Sequence, residues 1–126
     1  MNIIVTGATG NLGKAVSETL SSLGHQLIVA QTSRSSSPYD AHVVDLTDET
    51  SATQFVHTVI SKYQQIDAAV LLVGGYAGGS LKDTGTDALR KMYRLNFETA
   101  YVVARPLLEH MLENRKCRII LIGARP

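Results

Sequence analysis

Ile3-Ile4-Val5-Thr6-Gly7-Ala8-Thr9-Gly10-Asn11-Leu12-Gly13 decides the fold, because an apolar strand here runs into a glycine-rich turn and then into a helix. A strand buried on both faces must break sharply at Thr6-Gly7 if a helix is to begin near Asn11, and only glycine makes that turn without a Cβ penalty. Gly10 then lets backbone approach a ligand closely, and Gly13 lets the first helical turn pack against the sheet. The free N–H groups and the dipole at such a helix start favour an anion, typically a dinucleotide pyrophosphate. The spacing is Gly-x-x-Gly-x-x-Gly rather than the Gly-x-Gly-x-x-Gly of the dinucleotide fingerprint. Two readings follow from the residues: a phosphate cradle, or a tight strand-to-helix turn with no ligand.

Beyond the turn, Leu12, Val16, Leu20 and Leu23 recur at helical spacing, and Gly24 stands where the helix should stop. Leu27-Ile28-Val29-Ala30 predicts a second strand followed by an exposed loop. In a dinucleotide-binding fold that loop lies beside the adenosine ribose, where an acid would bond the 2′-hydroxyl. Gln31, Thr32, Ser33 and Arg34 offer hydroxyls and a guanidinium instead, which suit a 2′-phosphate and favour NADP(H) over NAD(H). Ser35, Ser36 and Ser37 read as solvated loop. His42-Val43-Val44-Asp45-Leu46 predicts a third strand; Asp45 at its end is either a partner for the adenine amino group or a loop acid. Thr47 is expected to cap the next helix, whose apolar face is Phe55, Val56, Val59, Ile60 and Tyr63.

Asp67-Ala68-Ala69-Val70-Leu71-Leu72-Val73, preceded by Ile66, has the pattern of a fourth strand covered on both faces. It ends in Gly74-Gly75-Tyr76-Ala77-Gly78-Gly79, at the carboxyl edge where an open parallel sheet binds its ligand. Such a segment either lets the chain pass close to a flat ring or is a flexible surface loop. From Thr84, with Asp87 three residues on as a capping box, a long helix is expected to run to about Asn114, bent at Pro106. Its apolar residues cover more than one stripe, so part of it is expected to face a partner subunit, in a homo-oligomer, as well as the sheet. Asn96 is expected to be buried among them, as a satisfied core amide or as a polar relay beside the ligand. The segment from Cys117 to Pro126 predicts a fifth strand, with the chain stopping one step past its end.

A chain of 126 residues with 44% hydrophobic content fits one globular domain spanning residues 1–126. A formal net charge of +1 with scattered Lys and Arg gives no basic face for nucleic acid, which leaves a small molecule as the expected partner. Cys117 is alone, so no intrachain disulfide forms, and His25, His42, His57 and His110 show no metal-ligand spacing. No signal peptide or membrane span is read in the sequence, and a reducing cytoplasm is the expected compartment.

Strands alternating with helices predict an α/β, doubly wound, Rossmann-like parallel sheet of about five strands with helices on both faces. Over the whole chain the motifs resemble the short-chain dehydrogenase/reductase family, in its N-terminal, cofactor-binding part. Thr6 to Gly13 looks like the family's cofactor turn, Asp45-Leu46 like its adenine-contacting pair, and Val73-Gly74-Gly75 stands where the family usually has Asn-Ala-Gly. Asn96 looks like the family's helix asparagine, which supports a proton-relay water. Within the family, Val73 to Gly79 is similar to the run that dihydropteridine reductases carry after their fourth strand, and Ala124 stands where most members have a catalytic serine.

The resemblance implies an NAD(P)H-dependent oxidoreductase acting on a small carbonyl, alcohol or pteridine-like substrate. It assigns Gly7, Thr9, Gly10, Asn11, Leu12 and Gly13 to pyrophosphate, Ser33 and Arg34 to the 2′-phosphate, Asp45 and Leu46 to adenine, and Gly74, Gly75 and Tyr76 to the nicotinamide side. Two departures stand out. Asn11 replaces the central glycine of the enzyme-type turn, a spacing closer to the epimerase-like and regulatory branches. The family's Tyr-x-x-x-Lys is absent: Tyr63, Tyr76, Tyr93 and Tyr101 lack a lysine four residues on, and Tyr39 has Val43 there. The chain therefore reads as truncated after the fifth strand and inactive by itself. The alternative is a non-catalytic NAD(P)-binding sensing or regulatory module.

Overall fold

The computed structural model describes residues 1–116 and 118–123. Within them the apolar runs become five parallel strands: β1 (Asn2–Thr6), β2 (Gln26–Gln31), β3 (Asp40–Val43), β4 (Ala68–Leu71) and β5 (Ile119–Leu121). They form one sheet in the order β3-β2-β1-β4-β5. The chain winds outward from β1 to β3, then returns to lay β4 against the other side of β1, with Val5 level with both Val29 and Val70. That reversal puts the topological switch point between β1 and β4.

Because side chains alternate along a strand, each face of the sheet receives half of every apolar run. Ile3, Val5, Leu27, Val29, Ala68 and Val70 face α1 (Asn11–Ser22), against which Val16 and Leu20 pack. Ile4, Ile28, Ala69 and Leu71 face the other way, onto α2 (Glu49–Tyr63) and α4 (Thr99–Glu113), which bring Phe55, Val56, Val59, Val103, Leu107 and Met111. Both faces are thus covered, as continuous apolar strands require. At roughly 1.5–3 kcal/mol for each fully buried aliphatic side chain, these two layers dominate the stability of the sheet.

Local signals fix several ends as expected. Gly24 follows α1 with φ +79°, and the N–H groups of Gly24 and His25 return to the carbonyls of Ser21 and Leu20. Other boundaries differ. β3 stops at Val43, so Val44, Asp45 and Leu46 lie past the strand rather than in it. Asp48, not Thr47, caps α2, its carboxylate accepting from the Ser51 N–H at 3.0 Å; Thr47 is already committed to Asp45. β4 ends at Leu71, two residues early.

The long helix expected from Thr84 to Asn114 is three pieces: α3 (Thr86–Tyr93), a π turn (Arg94–Glu98) and α4. Gly85 stands at the start of α3 without a side-chain cap, and the Thr84 hydroxyl donates to the Ser80 carbonyl instead, so the capping box does not form. The break in the α pattern falls at the π turn, while α4 continues through Pro106. No described helix is long and apolar enough to cross a membrane.

Candidate functional site

The carboxyl ends of β1 and β4 meet at the glycine turn. Gly7 has φ +70°, and a Cβ there would sit 2.9 Å from the backbone carbon and oxygen of Leu72. Gly13 is more restricted: its Cβ would lie 2.0 Å from the Gly7 carbonyl oxygen and 2.7 Å from Ala8 Cα. The turn therefore folds back on itself, with Gly10 N–H donating to the Gly7 carbonyl at 3.1 Å and Lys14 N–H donating to that of Gly10 at 2.9 Å. Gly10 differs from the other two, since its Cβ would meet only the Gly7 oxygen at 3.4 Å. Among the described residues, no neighbour of Gly10 demands glycine there. Thr9, Asn11 and Leu12 are exposed around this turn.

At the second end, Val44 N–H donates to the Gln31 carbonyl, which carries the β3 chain past β2 and presents Asp45. The Thr47 hydroxyl (2.7 Å) and the Thr47 N–H (2.8 Å) both donate to Asp45 Oδ1, and these bonds hold its carboxyl below the usual range. Asp45 Oδ2 has no partner among the described residues and remains open to a donor such as an exocyclic amine. Leu46 turns its side chain into the core, so it offers a ligand only backbone.

Arg34 and Asp45 line one groove of about 950 Å³, shared with Gln31, Tyr39 and His42. Ser33 is exposed and does not line it. Ser35 and Ser37, read from sequence as solvated loop, do line it, and Ser35 exchanges hydrogen bonds with the Gln31 amide. A second recess, of about 210 Å³, brings Lys14 and Thr9 from the glycine turn and first helix against Ser35, Ser36 and Ser37. Lys14, Ser35 and Ser37 are thus site candidates that sequence reasoning missed; the only signal was the density of hydroxyls after β2.

The third end is the double-glycine segment after β4. A Cβ on Gly74 would sit 2.8 Å from Asn96 Oδ1, and one on Gly75 would sit 2.7 Å from Leu95 Cδ2. These two glycines let the loop press against the π turn, where Asn96 Oδ1 accepts the Gly75 N–H at 2.9 Å. Asn96 Nδ2 donates in turn to the Met92 carbonyl at 2.9 Å. Asn96 was expected to be buried; it is exposed, because the π turn carries it out of the helix–sheet interface to face the loop. Tyr76 is 92% exposed and leans over Gly78, so it is not gathered with Gly74 and Gly75. Ala124 lies outside the described residues.

Comparison with known proteins bears on what these ends share. Residues 1–125 match the family model described as short chain dehydrogenase. The 3-ketodihydrosphingosine reductase of Bacteroides thetaiotaomicron is 30% identical over 126 residues, covering 97% of this chain and 46% of that protein. Among solved structures, the ligand-free aldohexose dehydrogenase of Thermoplasma acidophilum superposes with TM-score 0.91 at 21% identity, over 98% of this chain and 49% of that one. ElxO with NADP bound superposes with TM-score 0.90 at 21% identity, over 98% and 55%. The chain spans about half the length of the curated relatives it matches.

Proposed function

This chain belongs to the short-chain dehydrogenase family, and from that premise we propose that the protein carrying it is an NADP(H)-dependent reductase of a small unsaturated substrate, a carbonyl or a pteridine-like ring. One observation carries this reading. The glycine turn, the Asp45 turn and the Gly74-Gly75 loop open at the same carboxyl edge of a parallel sheet, around the switch point between β1 and β4.

The residues fit a dinucleotide. Gly7 and Gly13 admit no Cβ, and the turn they form presents the start of α1 to an anion. We assign Gly7, Thr9, Gly10, Asn11, Leu12 and Gly13 to the pyrophosphate, Asp45 and backbone of Leu46 to adenine, and Gly74 and Gly75 to the nicotinamide end; Tyr76, which stands away from those two glycines, is left out of that assignment. Ser33 and Arg34 are assigned to a 2′-phosphate; Arg34 is the stronger of the two, since it lines the groove. When bound, the cofactor supplies the hydride; the chain supplies position. Asn96 orders the loop through Gly75 and carries a support role for proton relay. No tyrosine of the chain has a lysine four residues on, so the proton donor is assigned to none of them. We place the protein in the cytoplasm with a small-molecule substrate.

The glycine spacing, and Ala124 in place of a serine, favour a second reading, a nucleotide-sensing module without turnover. Consumption of NADPH by the protein in the presence of a dihydropteridine or a simple quinone separates the two. Cofactor choice has its own test: Arg34→Ala should weaken NADPH by roughly 1–3 kcal/mol, as measured by the fluorescence of the bound nucleotide, and leave NADH nearly unchanged. Equal loss for both would make Arg34 a loop residue and remove the 2′-phosphate from the reading.

A further inference from the structure

Arg94 opens the π turn, and its backbone and side chain look in different directions. Its carbonyl accepts the Thr99 N–H, the wide i to i+5 bond that defines the turn. Its side chain leaves the helix altogether: Nη2 donates to the Thr47 carbonyl at 2.9 Å, across 47 residues of sequence. Glu98, at the other end of the π turn, lies 3.5 Å from Arg94 Nε and aims the guanidinium. Thr47 is also the residue whose N–H and hydroxyl fix Asp45. The π turn, for its part, holds Asn96, which fixes the Gly75 N–H.

The bonds form one line: Asp45 to Thr47, Thr47 to Arg94, Arg94 through the π turn to Asn96, and Asn96 to Gly75. We propose that Arg94 is a positioning residue that couples the two ends of the dinucleotide site, so that filling the adenine end orders the loop at the nicotinamide end. This rests on the dinucleotide reading given above.

Three features make Arg94 the joint of this line. It is the described residue whose hydrogen bond joins the Asp45 turn to the π turn; the Arg105–Glu49 pair nearby reaches α2 and not Thr47. A planar fork of donors serves two acceptors at once, Glu98 and Thr47, which a lysine cannot do with the same rigidity. A π turn is a rare and irregular conformation with a wider hydrogen-bond ring, and such turns gather at functional sites, where a small change at one side chain re-aims the next.

The test uses 2′,5′-ADP, a probe that reaches only the adenine end, and reads the amide signals of Thr47 and Gly75 by NMR with hydrogen exchange. In the wild-type protein the probe should shift Thr47 directly and slow the exchange of Gly75. Arg94→Met should keep the Thr47 response and lose that of Gly75, while weakening whole NADPH about tenfold, the range of a lost charge-assisted hydrogen bond. Arg94→Lys and Glu98→Gln should give intermediate losses, and they serve if the Met variant does not fold. A wild-type protein in which Thr47 ignores both 2′,5′-ADP and plain ADP overturns the dinucleotide reading, and this coupling with it. A wild-type response at Thr47 with none at Gly75, or an unchanged Gly75 response in Arg94→Met, overturns the coupling alone.

Discussion

At Gly13 a single methyl group would press 2.0 Å from a backbone carbonyl oxygen, and neither side of that contact can swing away. At Gly10, three residues earlier, the same methyl group would meet an oxygen at 3.4 Å and nothing closer. Among the described residues, then, a packing demand for glycine falls on Gly13 and not on Gly10. Gly13→Ala should cost at least ~2 kcal/mol of stability, within or above the usual range for overpacking. Gly10→Ala should cost under about 1 kcal/mol and yet weaken nucleotide binding. Urea unfolding of the two variants, with nucleotide titration of the second, checks both; similar unfolding midpoints would mean that the turn relaxes around Gly13. The need for glycine at 7 and 13 was legible in the sequence, because a strand, a turn and a helix leave no other residue for it. The difference between Gly10 and Gly13 was not, since it depends on which backbone atom lies opposite.

Among the elements, β3 is an edge strand that a side chain also ties to α2. It pairs with β2 on one side only. Asp40 at its start makes a second attachment: one carboxylate oxygen accepts from His42 Nε2 at 3.1 Å, Lys62 Nζ at 3.0 Å and Tyr63 Oη at 2.9 Å, the last two from the final turn of α2. Burial raises the Asp40 carboxyl, but the bonds from Lys62, His42 and Tyr63 outweigh it and the net shift is downward. The sign follows: a carboxyl that holds its proton less tightly when folded stabilises the fold above its unfolded pKa of about 3.9, and the contribution fades as pH falls through the lower folded value.

Asp40→Asn should accordingly lower stability by roughly 1–3 kcal/mol at pH 7, and the gap between variant and wild type should begin to narrow below about pH 4. Urea midpoints across the range from about pH 7 to about pH 3 measure it, and a gap that does not narrow at all as pH falls below about 4 would assign the effect to packing. The elements themselves were readable from period, with one exception. A period of 3.6 carries residues four apart round the helix by about 40° per step, so the sequence 84–114 reads as one helix whose apolar residues cover more than one stripe. The π turn takes back part of that drift, and nothing in residue type announces it. Partners such as Asp40 with Lys62, or Arg94 with Thr47, are set by the meeting of distant elements and have no local signature.

On the scale of the whole molecule, that corrected drift leaves a surface. Thr99, Val103, Leu107 and Met111 go to the core, while Leu89, Tyr93, Phe97, Tyr101, Leu108 and Leu112 stay exposed on the outside of α3, the π turn and α4. The aromatic rings already form a ladder, Tyr93 stacked on Phe97 at 5.2 Å between centroids and Phe97 on Tyr101 at 6.1 Å. Rings so arranged are desolvated cheaply, because each has already lost water to its neighbour. We propose a second copy of the chain as the occupant. A twofold axis perpendicular to the helix would lay the ladder of one copy against that of the other, apolar ring against apolar ring. Sedimentation at tens of micromolar should then find a dimer, and Phe97→Glu, which sets a charge in the middle of the ladder, should yield a monomer with nearly wild-type thermal stability. A wild-type monomer would turn the stripe over to another protein, and a Phe97→Glu variant that still dimerises would move the contact off this face.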